Sequence, residues 1–127
     1  MMSAASPTGE RPRLLVVEDD PDLRDALSDA LSASGYDVDC AVNGREALDY
    51  LETAAPPCVV LLDLMMPVMN GWEFRAEQKG NAKLASIPVV VLTAETRRDL
   101  NAELAVDDCL HKPVQLGRLL SVIARYH

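Results

Sequence analysis

Cys58-Val59-Val60-Leu61-Leu62-Asp63-Leu64-Met65-Met66-Pro67 is the stretch whose reading decides the fold. An unbroken apolar run ends in a carboxylate. A continuous Val/Leu run reads as a strand buried on both faces, as in a parallel sheet. Pro56-Pro57 ahead of it prevents a helix from running in, and Pro67, Asn70 and Gly71 turn the chain after it. Asp63 is therefore placed at the carboxyl end of a central strand, where open α/β sheets bind ligands.

Two further runs have the same character. Arg13-Leu14-Leu15-Val16-Val17 ends in Glu18-Asp19-Asp20, and Ile87-Pro88-Val89-Val90-Val91-Leu92 ends in Thr93-Ala94. Tyr36-Asp37-Val38-Asp39-Cys40 alternates apolar and acidic residues, the pattern of a half-buried edge strand. Asp107-Asp108-Cys109-Leu110-His111 is short and polar-flanked, and reads as the other edge, leading into Lys112-Pro113.

Helical patterns separate the strands. Asp20 as N-cap and Pro21 at the first position open a helix carrying Leu23, Ala26, Leu27, Ala30 and Leu31, closed by Gly35. Asn43-Gly44 opens a second helix with Ala47, Leu48 and Leu51 inward, and Gly71-Trp72-Glu73-Phe74 starts a third. The polar continuation of that third helix, Arg75-Ala76-Glu77-Gln78-Lys79, predicts the weakest helix of the set. Leu100, Ala102 and Leu104 mark a short fourth helix, and Leu116, Leu119, Leu120 and Ile123 a fifth. Strict alternation of strand and helix predicts an α/β, doubly wound five-stranded parallel sheet with strand order 2-1-3-4-5. Residues 1–12 read as a flexible N-terminal arm and 13–127 as a single domain.

Composition narrows the function classes. The chain has 127 residues, the size of one compact domain, and 49 % are hydrophobic, enough to fold. A net charge of −8 argues against nucleic acid as a direct partner, because a phosphate-binding surface needs a basic excess. There is neither an apolar run of about 18 residues nor a signal-peptide pattern, so a cytoplasmic location without membrane contact is expected. Cys40, Cys58 and Cys109 read as reduced core thiols, without the spacing of a zinc site. His111 and His127 read as surface histidines, Met65, Met66 and Met69 as packing residues, and Trp72 as a partly buried helix anchor.

The strand ends collect Glu18, Asp19, Asp63, Thr93 and Lys112. Each alone has an ordinary reading as a turn, a cap, a strand-end hydroxyl or a solvated lysine. Together on one sheet edge they mean more. Crowded carboxylates repel unless a cation joins them, and oxygen ligands with open positions suit Mg²⁺. A lysine and a hydroxyl beside such a cation site are what a transferred phosphoryl group needs, and Asp63 could itself be the nucleophile.

The residues resemble the receiver domain of bacterial two-component response regulators from residue 13 to about 125. The matching elements are Leu-Leu-Val-Val-Glu-Asp-Asp at 14–20, Asp-Leu-Met-Met-Pro at 63–67 with Asn-Gly at 70–71, Leu-Thr-Ala at 92–94, and Asp-Asp-Cys-Leu-His-Lys-Pro at 107–113. Each piece alone is weak, but all four in order at strand ends are specific. The resemblance implies a flavodoxin-like, CheY-like (βα)5 fold and a phosphoprotein of phosphorelay signal transduction. It implies Asp63 as phospho-acceptor, and Mg²⁺ held by Asp19, Asp63 and the Met65 backbone carbonyl with Glu18 acting through water. Thr93 and Lys112 would contact the phosphoryl oxygens, and Ala94 is the small residue that leaves them reachable.

The implied partners are a sensor histidine kinase or histidine phosphotransfer protein as donor, and a downstream protein docking on the fourth helix, fifth strand and fifth helix. Arg97, Arg98, Arg118 and Arg125 are candidate contacts there. The expected state is a monomer or weak dimer, in a single-domain regulator that catalyses only its own phosphorylation and dephosphorylation. Two departures from the family pattern touch the output face: Cys109 stands where receivers carry Tyr or Phe, and the Thr93–Lys112 segment is about one helical turn short. With no ring at that position, Cys109 is expected to stay buried while the loop and helix after Thr93 carry activation. Lys112-Pro113 is expected to be cis, because Lys112 must leave an edge strand toward the pocket while Pro113 opens a helix; the resemblance implies the same.

Other classes remain. A phosphatase of the haloacid dehalogenase type would want a second acid at the position of Met65. A flavin or nucleotide module would want a Ser/Thr/Gly-rich loop where Glu18-Asp19-Asp20-Pro21 stands. A receiver that binds a partner without phosphorylation would not need the five-residue site.

Overall fold

The computed structural model describes residues 11–94, 104 and 106–127. Its strands are β1 (Arg13–Val17), β2 (Asp37–Ala41), β3 (Val59–Asp63), β4 (Val89–Thr93) and β5 (Asp108–His111). All pairings are parallel, in the order β2-β1-β3-β4-β5. The helices are α1 (Pro21–Ala33), α2 (Gly44–Thr53), α3 (Gly71–Lys79) and α4 (Leu116–Ile123), the last continued by a 3₁₀ turn at Ala124–Tyr126. The expected helix around Leu100, Ala102 and Leu104 falls outside the described residues except at Leu104, which is helical and buried. The expected arm at 1–12 lies outside them up to residue 10.

The three apolar runs are the three inner strands, and their alternate residues feed two cores. Leu15, Val17, Val60, Leu62, Val89 and Val91 face Ala47, Leu48 and Leu51 of α2 and Phe74 of α3. Leu14, Val16, Val59, Leu61, Val90 and Leu92 face Leu27 and Leu31 of α1 and Leu119, Val122 and Ile123 of α4. A strand can serve both faces only because successive side chains point to opposite sides.

Helix starts are fixed by side chains. Asp20 accepts from the Asp22 N–H, and Asn43 accepts from the Glu46 N–H. Asn70 and Glu73 form a reciprocal capping box, at 2.9 and 3.0 Å. Gly71 is required by close approach: a Cβ there would lie 2.8 Å from the Asp63 carbonyl oxygen. The start of α3 is thereby pressed onto the end of β3. In the loop between them Val68 has φ 68°, and the Met69 N–H donates to the Pro67 carbonyl at 2.7 Å, a γ-turn with a β-branched residue at its centre. The Lys112-Pro113 bond is cis, as expected.

Several expectations need correction. Cys40 is exposed and not in the core, although it shares a strand face with Val38, which packs on that core: β2 is an edge strand and its apolar face is only partly covered. Cys58 and Cys109 are half-buried. Met66 is buried and Met69 packs on the core, but Met65 is 69 % exposed. His111 is exposed as read, whereas His127, though exposed, also bonds the Tyr36 hydroxyl through Nε2 at 2.7 Å.

The polar half of α3, expected to be the weakest helix, is not polar merely toward solvent. Arg75 and Gln78 are buried. Gln78 accepts from Arg75 Nη1 at 2.8 Å, and its Nε2 donates to the carbonyls of Leu84 and Ile87 at 3.0 Å each. Arg75 Nε donates to the Leu104 carbonyl at 3.0 Å. These bonds tie α3 to the segment that leads into β4 and, through Leu104, to the chain ahead of β5.

Gln78→Leu keeps the volume but removes the acceptor used by Arg75 and the donor used by two carbonyls. It should destabilise the fold by about 1–3 kcal/mol, because buried polar partners are left unsatisfied. Urea unfolding checks this through a lowered midpoint at unchanged slope.

Candidate functional site

Register alone brings the strand-end residues together. Val17 pairs with Leu62, so Glu18 and Asp63 are level as the next residues of neighbouring strands. Asp63 pairs with Leu92 and Thr93 with His111, so Thr93 and then Lys112 follow along the same edge. The Lys112 N–H donates to the Thr93 carbonyl at 2.8 Å, continuing the ladder one residue past β5.

Glu18, Asp19 and Asp63 each offer a carboxylate oxygen within 4.8 Å of the others. Glu18 and Asp63 are buried, at 2 % and 5 % exposure, and Asp19 is the most open of the three. Lys112 Nζ lies 3.0 Å from Glu18 Oε1 and 3.3 Å from Asp63 Oδ1. The second Glu18 oxygen accepts from the Asp20 N–H at 3.1 Å. The Met65 N–H approaches Asp63 Oδ1 at 3.3 Å. Thr93 is fully buried at the end of β4, and Ala94 beside it is exposed. The five residues singled out from the sequence thus lie on one sheet edge, and four of them meet through their charges.

Burial pushes the Glu18 carboxyl above its ordinary pKa, and the charge of Asp63 adds to this against the Asp20 N–H and Lys112. For Lys112 burial works downward, but the hydrogen bond it donates to Glu18 and the charges of Asp63 and Glu18 outweigh it, and the ammonium ends above its ordinary value. The lysine is therefore a fixed positive charge in a pocket with carboxylates in excess. Such a pocket can hold a divalent cation and can place a cationic donor against an incoming anion.

Two features were not singled out from sequence. Arg24 Nη1 donates to the Glu18 carbonyl at 3.0 Å and to the Asp19 carbonyl at 3.4 Å. Its signal was available: helical side chains lean toward the N-terminus, so an arginine four residues after the Asp20 cap can reach back over the loop. The buried Arg75–Gln78 pair had no local signal.

A family model for the response regulator receiver domain matches residues 14–124. The chain belongs to that family. Receiver domains are the phosphoryl-accepting modules of two-component signalling, and this chain is one of them. It is 42 % identical to the transcriptional regulatory protein CpxR homolog of Haemophilus influenzae, over 87 % of this chain and 48 % of that protein. The chain spans about half the length of such curated relatives. Among solved structures, chemotaxis response regulator CheY4 of Vibrio cholerae is 30 % identical with a TM-score of 0.82, covering 92 % of this chain and 99 % of that one. Response regulator TrrA of Thermotoga maritima, in complex with Mg²⁺-BeF, is 30 % identical with a TM-score of 0.79, covering 91 % and 99 %. This chain shares the flavodoxin-like, CheY-like architecture of these solved structures. Among the described residues, no helix is long and apolar enough to cross a membrane.

Removing Lys112 should expose the carboxylate repulsion. A carboxyl with a raised folded pKa contributes stability that is full below the unfolded value and is lost as pH rises through the folded one. Lys112 holds the Glu18 pKa down, so Lys112→Ala should raise it further. In metal-free buffer, the variant should lose more thermal stability than the parent between pH 5 and pH 7, measured as the difference in Tm.

Proposed function

We propose that this receiver domain accepts a phosphoryl group on Asp63 from a phosphohistidine of a sensor histidine kinase or histidine phosphotransfer protein, in a Mg²⁺-dependent reaction. The observation that carries the reading is Lys112 Nζ bridging Glu18 and Asp63 in a pocket where three carboxylates converge within 4.8 Å. The donor set, all oxygen and negatively charged in excess, fits Mg²⁺ rather than a soft metal. Asp19, Asp63 and the Met65 carbonyl would hold the ion, with Glu18 reaching it through water. That outer role suits Glu18, whose two oxygens are already engaged by Lys112 and the Asp20 N–H. When bound, Mg²⁺ supplies positive charge beside the phosphoryl oxygens. The Mg²⁺-BeF complex of TrrA supports the same choice of ion.

The chain's own residues carry the rest. An Asp63 carboxylate oxygen attacks phosphorus as the donor P–N bond breaks, and its electron pair leaves with the imidazole. Lys112, freed from part of its ion pairing, turns its positive charge to a phosphoryl oxygen, and the Thr93 hydroxyl donates to another. Exposed Ala94 leaves room for the group and, later, for the water that hydrolyses the acyl phosphate. On this reading the domain catalyses its own phosphorylation and dephosphorylation and no other reaction, in the cytoplasm, as a monomer or weak dimer. Residues 13–127 form the receiver unit, behind an arm at 1–12.

The phosphorylated state would be read by a downstream protein on the face that includes β5 and α4. Arg118 lines a groove there with Cys109, His111 and Val114, while Arg125 is engaged by Asp108 at 3.1 Å. Arg97 and Arg98 lie outside the described residues. The half-buried position of Cys109 at this groove means that it does not stand apart from that surface.

Incubation with acetyl phosphate and Mg²⁺ should add the mass of one phosphoryl group, read by intact-protein mass spectrometry. Asp63→Asn should abolish the addition, and chelation of Mg²⁺ should suppress it in the parent. Equal labelling of Asp63→Asn and the parent would assign the chemistry to another residue.

A further inference from the structure

Arg24 stands outside the acidic crevice, on the first turns of α1, yet it touches the segment that carries the crevice. The carbonyls it binds, those of Glu18 and Asp19, belong to consecutive peptide groups joining β1 to α1. Both of its side-chain hydrogen bonds among the described residues go to these carbonyls, and none goes to a carboxylate. Asp20, four residues back, has the spacing that could offer Arg24 a carboxylate. The geometry uses the arginine instead to hold backbone.

The consequence follows from the planarity of the peptide. In a trans peptide the carbonyl of one residue and the N–H of the next point in opposite directions. Drawing the Glu18 and Asp19 carbonyls toward α1 turns the Asp19 and Asp20 N–H groups the other way. The Asp20 N–H is found there, donating to Glu18 Oε2 at 3.1 Å. The other oxygen of that carboxylate takes Lys112 Nζ at 3.0 Å. From the strand side, the Glu18 N–H is anchored on the Ala41 carbonyl at 3.0 Å. The loop is thus held at both ends of Glu18, and Arg24 supplies the hold on the side toward Asp19.

We propose that Arg24 is a positioning residue of the cation pocket: by fixing two peptide planes it aims Glu18 and Asp19, and so sets the affinity of the pocket for Mg²⁺. This rests on the reading of Glu18, Asp19 and Asp63 as that pocket. Residues that orient the ligands of a metal commonly govern its affinity by 10- to 100-fold. The planar guanidinium matters because two carbonyls must be served from one side chain, whereas an ammonium is a compact point charge without that fork.

The test is calorimetric titration of MgCl₂ into the parent, Arg24→Ala, Arg24→Lys and Asp19→Asn, together with amide hydrogen exchange at Asp20 in metal-free buffer. Arg24→Ala should weaken Mg²⁺ binding by about tenfold or more, with Arg24→Lys between it and the parent. The Asp20 amide should exchange faster in both Arg24 variants, while the amides of β3 keep the parental rate. A merely structural arginine would lower protection throughout and leave the Mg²⁺ affinity of the folded protein alone. Parental affinity in Arg24→Ala, or unchanged protection at Asp20, overturns the proposal. If Arg24→Ala does not fold, the same two readouts on Arg24→Lys decide it. A parent that takes up no Mg²⁺, with Asp19→Asn indistinguishable from it, would instead remove the pocket reading itself.

Discussion

The contact on which the site depends is that of Lys112 with Glu18 and Asp63, at 3.0 and 3.3 Å. Carboxylates this close repel: near 5 Å and an effective dielectric of about 20, a like-charge pair costs roughly 3 kcal/mol before solvent screening. A single ammonium can offset one such repulsion and leaves the pocket in negative excess. The fold can hold that excess because Glu18 and Asp63 end adjacent inner strands whose positions are fixed by the two cores. The imbalance is also the source of the chemistry. On the proposed reading, a cation that completes the charge balance would be bound for that reason, and a phosphoryl group would then be drawn to the positive charges gathered there.

The fold was legible because its signals are local. An inner parallel strand is apolar on both faces, so it shows as a run with no period, and three such runs could only be the middle of the sheet. The alternation in Tyr36–Cys40 placed β2 at an edge, but it also grouped Cys40 with Tyr36 and Val38; Cys40 is nevertheless exposed, because the apolar face of an edge strand is covered only in part. The site was legible for a related reason. Strand ends are marked by the residue that breaks the run, and here those residues were Glu18, Asp63 and Thr93 themselves.

What sequence did not reveal depends on partners distant in the chain. Whether Arg75 and Gln78 face water or the interior is decided by the carbonyls of Leu84, Ile87 and Leu104, which no helical periodicity can register. A polar run is read as solvated because that is its ordinary condition, and it becomes structural only where another segment brings unpaired acceptors to it. Met65 differs in the other direction. It lies two residues after Asp63, in a turn whose inward positions are taken by Leu64 and Met66, so its hydrophobicity does not bury it.

Lys112 and Glu18 are separated by 94 positions along the chain. Their meeting requires β1, β3, β4 and β5 to have found one another in register, because Lys112 reaches the pocket only by way of its ladder bond to Thr93. Contacts of such long range close late, after the entropy of the intervening loop has been lost. As the chain emerges during synthesis, the acidic half of the pocket exists long before the residue that balances it. On the proposed reading, competence to receive a signal would thus be acquired with β5, and a molecule that had not finished folding would be silent without any further device to keep it so.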